Sequence, residues 1–145
     1  MGMVRFKNRY LVIHISFEEG KLENFNAHFV CAIIRDSIEL NFGDEGYASI
    51  IPSLSVKYYN PLTGLGIVRV GRDHFRKAWL AITWIGDIKK QFCCIRTLHV
   101  GGTIKSCQKF AINYDKQEIR KLYSKDAKCR ELLEQSMQTI SKIEI

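Results

Sequence analysis

Alternation is the first regularity along the chain. In RYLVIHISF (9–17), Leu11, Ile13, Ile15 and Phe17 fall on one side of an extended backbone, and Tyr10, Val12, His14 and Ser16 fall on the other. That pattern predicts a strand with one strongly apolar face. After the loop EEGK the period lengthens. Val30, Ile33, Ile34 and Ile38, with Phe29 at the margin, predict a helix that starts from Asn24 or Asn26 as N-cap and runs to about Phe42. Gly43 is placed for a left-handed C-cap, and GDEG (43–46) for a helix-ending loop. SLSVKYYN (53–60) alternates Leu54, Val56 and Tyr58 against Ser55, Lys57 and Tyr59. NPLTG (60–64) has turn chemistry, and LGIVRVG (65–71) completes a hairpin. HFRKAWLAITWI (74–85) returns to helical spacing, with Asp73 as its cap, Gly86 as its stop, and Phe75, Ala78, Trp79, Ile82 and Ile85 on its apolar side. FCCIRTLHV (92–100) reads as a further strand.

The order strand, helix, strand, strand, helix, strand is that of an α+β, RRM-like or ferredoxin-like split βαβ sandwich: an antiparallel sheet with both helices on one face. Additional C-terminal helices follow. TIKSCQKFAI (103–112) places Ile104, Cys107 and Ala111 on one stripe, and residues 115–145 are charged and helix-prone, with a short stripe at Leu132, Leu133, Met137 and Ile140. The organisation expected is a domain over 1–114 and a helical tail over 115–145, with no internal repeat and no linker.

Composition narrows the function. With 145 residues, 46% of them apolar, the chain is long enough for a packed core. No apolar run approaches the ~20 residues of a membrane span, and the N-terminus does not read as a secretory signal. The five cysteines (Cys31, Cys93, Cys94, Cys107 and Cys129) have no metal-ligand spacing and read as reduced thiols, and the four histidines are scattered singly. No HExxH, GxSxG or Walker-type motif is present, and Asp44–Glu45 reads as a solvated pair, so no catalytic residue and no protein-bound cofactor is expected.

The net charge of +7 is unevenly spread. Residues 11–50 carry two basic and seven acidic groups, whereas residues 51–114 carry ten basic and two acidic. A segregated basic face suits a polyanion; an ordinary solvated surface is the alternative. Arg5, Lys7 and Arg9 alternate ahead of the first strand, Arg69 and Arg72 close the third, Arg96 lies in the fourth, and Lys105 and Lys109 are one turn apart on the following helix. An RRM stacks bases on aromatics of its central strands. The corresponding stretch here is TGLGIVRV, with Leu65, Ile67 and Val70 where aromatics would be wanted. Phosphate contacts are therefore expected in place of base stacking. Unless the third or tail helix covers it, the aliphatic sheet face at Leu65, Ile67 and Val70 is expected to bind a protein partner. Gly101-Gly102-Thr103 fits two readings. It can be a plain strand-to-helix turn, or a helix N-terminus offered to a phosphate.

MVRFKNRYL (3–11), LNFGDEGYAS (40–49), VKYYNPLTGLGIVRVGRD (56–73) and TLHVGGTIKSCQKF (97–110) together resemble the Pop-five family of ribonuclease P subunits, which eukaryotic ribonuclease MRP shares. The stretches occur in family order and cover most of residues 3–114; the tail beyond about Tyr114 has no matching motif. The resemblance implies an RRM-like subunit that is not itself a nuclease. The catalytic RNA would hold the Mg2+ ions and remove the 5′ leader of precursor tRNA, with rRNA processing in the MRP particle. The protein would brace that RNA beside a TIM-barrel subunit, a second RRM-like subunit and large scaffold subunits, in the nucleus and nucleolus. The matching motifs carry RNA contact to Arg5, Lys7, Arg9 and Lys105, and present Gly102 and Thr103 to the RNA or a partner; Arg69, Arg72 and Lys109 join them by charge and position. The rival reading is an RRM-like interaction subunit of another complex, with an incidental basic surface.

Overall fold

The computed structural model describes residues 7–18, 26–61, 63–122 and 127–143. Strand β1 (Asn8–Phe17) is the centre of the sheet. It can occupy that position because both its faces are apolar: Leu11, Val12 and Ile13 are all fully buried. On one side β1 pairs antiparallel with β3 (Leu65–Gly71), from Asn8↔Gly71 to His14↔Leu65. On the other it pairs antiparallel with β5 (Gln91–Gly101), from Tyr10↔Gly101 to Phe17↔Cys93. β2 (Ser55–Asn60) adds outside β3, and the two-residue β4 (Asp87–Ile88) adds outside β5, giving the order β2-β3-β1-β5-β4. Without the short β4, this is the split βαβ arrangement expected from the sequence. The β2–β3 turn closes through Gly64 at φ +75°, whose N–H donates to the Asn60 carbonyl at 2.8 Å.

One face of the sheet is covered by α1 (Ala27–Ile50) and α2 (Phe75–Thr83). Leu11, Ile13, Ile15, Val68, Val70 and Ile95 from the strands meet Val30, Ile34, Ile38, Ala78, Ala81 and Ile82 from these helices. Asn26 caps α1 as expected, its Oδ1 accepting from Phe29 N at 2.9 Å. Gly43 interrupts the helix at φ 72°, ψ −171°, as a glycine there suggested, but the chain resumes helical geometry through Asp44 and Glu45 to Ile50. α2 begins from His74 without a side-chain cap, so Asp73 is not the cap. Trp79, expected on the apolar side, is 39% exposed, and Ala81 takes the buried position.

The second face is covered too. α3 (Ile104–Leu122) and α4 (Ala127–Ser141) lie over it, and Ile104, Cys107, Ala111 and Ile140 pack on Tyr10, Val12, Tyr58, Leu65 and Ile67. This corrects the expectation of an exposed aliphatic sheet face. Leu65 and Ile67 are fully buried beneath α3 and α4, and Val70 points to the opposite layer, against α1 and α2. Three positions separate Ile67 from Val70, so in a strand of period two they cannot share a face. None of the three is available to a partner.

Tyr58 is also out of its expected place. The β2–β3 register shifts between Val56 and Tyr58, a bulge at Lys57. The extra residue reverses the alternation. Val56 and Tyr59 therefore pack towards α1 and α2, while Tyr58 joins the α3–α4 layer. There its phenol donates to Asp115 Oδ2 at 2.6 Å, and Ser136 Oγ donates to the same oxygen at 2.6 Å. Asp115 is 1% exposed, so β2, α3 and α4 are tied at one buried carboxylate. Position 114, the expected domain boundary, lies inside α3.

Candidate nucleic-acid interface

Antiparallel register decides where the cations go. β1 starts where β3 and β5 end: Asn8 is opposite Gly71, and Tyr10 is opposite Gly101. Lys7 and Arg9, Arg69 and Arg72, and the Gly102–Thr103 turn therefore converge on one end of the sheet, although they come from three separate stretches of sequence. Lys105 and Lys109 continue the series along the exposed side of α3. Arg5 lies outside the described residues.

Backbone contacts hold this end together. Arg72 N donates to the Lys7 carbonyl at 2.9 Å, fixing the two side chains as neighbours. Arg9 Nη1 donates to the Asn8 carbonyl at 3.3 Å, and its guanidinium lies against Gly102. Arg69 Nε reaches the Ser53 carbonyl at 3.4 Å. Ser53 Oγ in turn donates to the Ile50 carbonyl and accepts from Gly71 N, both at 3.0 Å, so the short 3₁₀ turn Ile51–Ser53 is fastened to the end of β3. Thr103 Oγ1 accepts from Ser106 N at 3.4 Å, the N-cap contact of α3.

Among the described residues, Lys7, Arg9, Arg69, Arg72, Lys105 and Lys109 make no salt bridge to a carboxylate. Asp73 is the acid at this end, on the turn after Arg72. Like charges gathered without matching acids repel one another, and a polyanion that releases its counterions relieves that repulsion. Between the 3₁₀ turn, the end of α1 and the Gly71–His74 turn lies a cleft of about 750 Å3. Lys7, Arg69 and Arg72 are basic members of its wall; Asn8, Ser49, Pro52 and Ser53 are uncharged members, with His74 and Asp73 beside them.

The glycine turn divides its roles. Gly101 is buried, and a Cβ there would come within 2.9 Å of Cys107 Sγ, so close packing of α3 on β5 needs it. Gly102 is exposed, has no positive φ, and a Cβ there would meet only the Arg9 guanidinium at 3.4 Å. The structural demand rests on the first glycine, and the second lies beside a cation.

Several surface features were not legible in the spacing. A ladder of rings runs along α3: His99 stacks on Phe110 at 5.1 Å, Phe110 on Tyr114 at 6.4 Å, and Tyr114 meets His14 at 5.8 Å. Leu40, Leu80, Trp84 and Phe92 are the strongly exposed apolar side chains among the described residues, from 47% to 84%. The ladder gathers rings from β1, β5 and α3, so only the fold could reveal it. Among the described residues no group of three His, Cys, Asp or Glu side chains could hold a metal ion, and no helix is long and apolar enough to cross a membrane.

The chain's relatives fall into one group. A protein 38% identical over 130 residues is the ribonuclease P/MRP protein subunit POP5 of Schizosaccharomyces pombe, with 83% of this chain and 94% of that one covered. The Arabidopsis thaliana protein named probable ribonuclease P/MRP protein subunit POP5 is 36% identical, covering 81% of this chain and 82% of that one. The Homo sapiens subunit POP5 is 31% identical, covering 81% and 75%. In fold, the chain matches a chain of the cryo-EM structure of yeast ribonuclease MRP with a TM-score of 0.54 at 10% identity, over 82% of this chain and 98% of that one. The Rpp14/Pop5 family model matches residues 9–112, from the first arginine of β1 through the middle of α3, and the chain belongs to the Rpp14/Pop5 family.

Proposed function

We propose that this chain is a protein subunit of ribonuclease P and ribonuclease MRP that binds and braces the RNA of those particles, with cleavage carried out by the RNA. The observation that carries the reading is the end of the sheet, where Lys7, Arg9, Arg69 and Arg72 converge with Asp73 as the acid beside them among the described residues. Such an array recognises backbone and shape, which suits a folded RNA. The work of the particle would be removal of the 5′ leader from precursor tRNA, and rRNA processing in the MRP form. Mg2+ belongs on the RNA in this reading, and no side chain of this protein is given a catalytic role. Nuclear and nucleolar location follows from membership of such a particle. A TIM-barrel subunit, a second RRM-like subunit and large scaffold subunits are the protein neighbours proposed.

The test is recovery of the tagged protein from its own cells, with sequencing of bound RNA and assay of precursor-tRNA cleavage. An abundant structured RNA together with correct 5′ cleavage, abolished by nuclease treatment, supports the reading. Clean recovery with neither RNA nor cleavage overturns it. An interaction-only role retains one supporting observation, the exposed Leu40, Leu80 and Trp84 on α1 and at the end of α2. Leu80→Asp with Trp84→Asp would then abolish recovery of other subunits and leave RNA affinity unchanged.

A further inference from the structure

The cleft between the 3₁₀ turn and the Gly71–His74 turn gives the basic end a concavity among the described residues. Elsewhere at this end the cations stand at a strand end and along the exposed side of a helix. Here Lys7, Arg69 and Arg72 surround a concavity of about 750 Å3. A duplex is far too wide for it, whereas an unpaired nucleotide is small enough to enter. The uncharged members of the wall, Ser49, Pro52 and Ser53, offer an apolar ring surface and serine oxygens that act as acceptors, since their protons are given to the Glu45 and Ile50 carbonyls. A base needs that environment and a phosphate does not. Two planar groups complete it. The Arg69 guanidinium is held by the Ser53 carbonyl, and the half-buried His74 ring stands at the start of α2, with its backbone N–H donating to the Gly71 carbonyl at 3.0 Å. Arginine planes and histidine rings are surfaces on which splayed-out bases stack.

We infer that this cleft takes one extruded, unpaired nucleotide of the bound RNA, its phosphate against Lys7 and Arg72 and its base between Arg69 and His74. The inference rests on the RNA-binding reading above and adds a local preference to it. The surrounding cations supply salt-dependent affinity for any structured RNA; the cleft supplies a preference for RNA carrying a bulged or looped-out nucleotide beside a helix. Asp73, at the rim, disfavours a second phosphate inside the cleft and so favours a single nucleotide over a continuing strand.

The experiment compares two hairpin RNAs of equal length and charge, one fully paired and one with a single bulged nucleotide, titrated into the full chain at several salt concentrations. The wild-type protein is expected to prefer the bulged hairpin by about tenfold, within the range that stacking of one base supplies. Ser49→Trp fills the cleft from an exposed helical position and leaves the charge unchanged. It is expected to remove the preference while the affinity for the paired hairpin stays within about twofold. His74→Ala, which removes the ring and leaves the lysines and arginines of the cleft in place, is expected to reduce the preference in the same direction. Equal binding of the two hairpins by the wild-type protein overturns the inference and leaves the RNA-binding reading standing. A preference that survives both substitutions overturns the placement in this cleft. Failure to bind either hairpin at low salt overturns the inference together with the reading on which it rests.

Discussion

Tyr58 donates its phenol proton to Asp115 across 2.6 Å inside the α3–α4 layer, and Ser136 donates to the same carboxylate oxygen. A buried polar group stripped of its hydrogen-bond partner bears the full desolvation penalty. Asp115→Ala leaves two buried hydroxyls without that acceptor and should destabilise the protein by about 2–4 kcal/mol. Tyr58→Phe removes one donor and should cost about 1–2 kcal/mol. Urea unfolding of both single variants and the double variant measures the coupling between them. Simple additivity would mean that this hydrogen bond does not hold α3 and α4 on the sheet.

Stability should fall in alkali. Burial pushes the Cys107 thiol up to about 11 from its ordinary 9.0, and burial, with smaller contributions from Asp87 and Cys94, does the same to Cys93. Burial and then the neighbouring Asp115 raise the Tyr58 phenol as well. Each group is therefore easier to ionise in the unfolded chain than in the fold. The stabilisation is fully present below about pH 9 and drains away as pH rises towards 11, with Tyr58 adding to the loss above about pH 10. Unfolding midpoints measured from pH 7 to 10.5 should be level at first and then decline. Cys107→Ala should make the decline shallower, and a slope identical to wild type would exclude Cys107 as a contributor.

The glycines separate two kinds of damage. At Gly64 the backbone has φ +75°, and a Cβ would run into the Ile15 carbonyl oxygen, so Gly64→Ala should destabilise by about 1–3 kcal/mol. Gly102→Ala should leave the unfolding midpoint close to wild type and shift only the Arg9 guanidinium, weakening RNA binding. Thermal unfolding alongside RNA titration distinguishes them; a large loss of stability at Gly102 would contradict this division.

The convergent cations should act through counterion release. Replacing Lys7, Arg9 and Arg72 by Ala should lower RNA affinity and flatten its dependence on salt by about 0.7–0.9 log unit for each phosphate no longer neutralised. An unchanged slope would remove this end of the sheet from the interface.

Much of this architecture could be read from the chain because β1, α1 and the β2–β3 hairpin each carry a clear period. Leu11, Ile13 and Ile15 do face α1 and α2, Asn26 does cap α1, and Gly64 does close the turn. The failures share a cause: a local period broken by a contact made far away. The bulge at Lys57 adds one residue to β2 and sends Tyr58 to the other layer, and no composition signal marks it. Asp115 sits in a charged stretch and looks solvated. Yet Ile104, Cys107, Ala111 and Ile119 share a buried stripe of α3, and Asp115 stands on that stripe. Extending the stripe through the acid would have found both the length of α3 and the covered sheet face. The basic residues were legible singly, from charge and from the family resemblance. Their meeting at one end of the sheet depends on register, which spacing along the chain does not carry.

The sheet is packed on both faces, and this has a mechanical consequence. A surface of loops can adjust to whatever RNA it meets, whereas Lys7 and Arg72 stand opposite each other where β1 and β3 meet, strands about 4.8 Å apart, and the Arg72 N–H donates to the Lys7 carbonyl at 2.9 Å. Their backbone spacing is therefore a fixed gauge, set before any RNA arrives. An RNA whose phosphates already match the gauge docks with little ordering of the protein; one that does not must itself deform. Rigidity inside the protein thus becomes a constraint on the shape of its polyanionic partner.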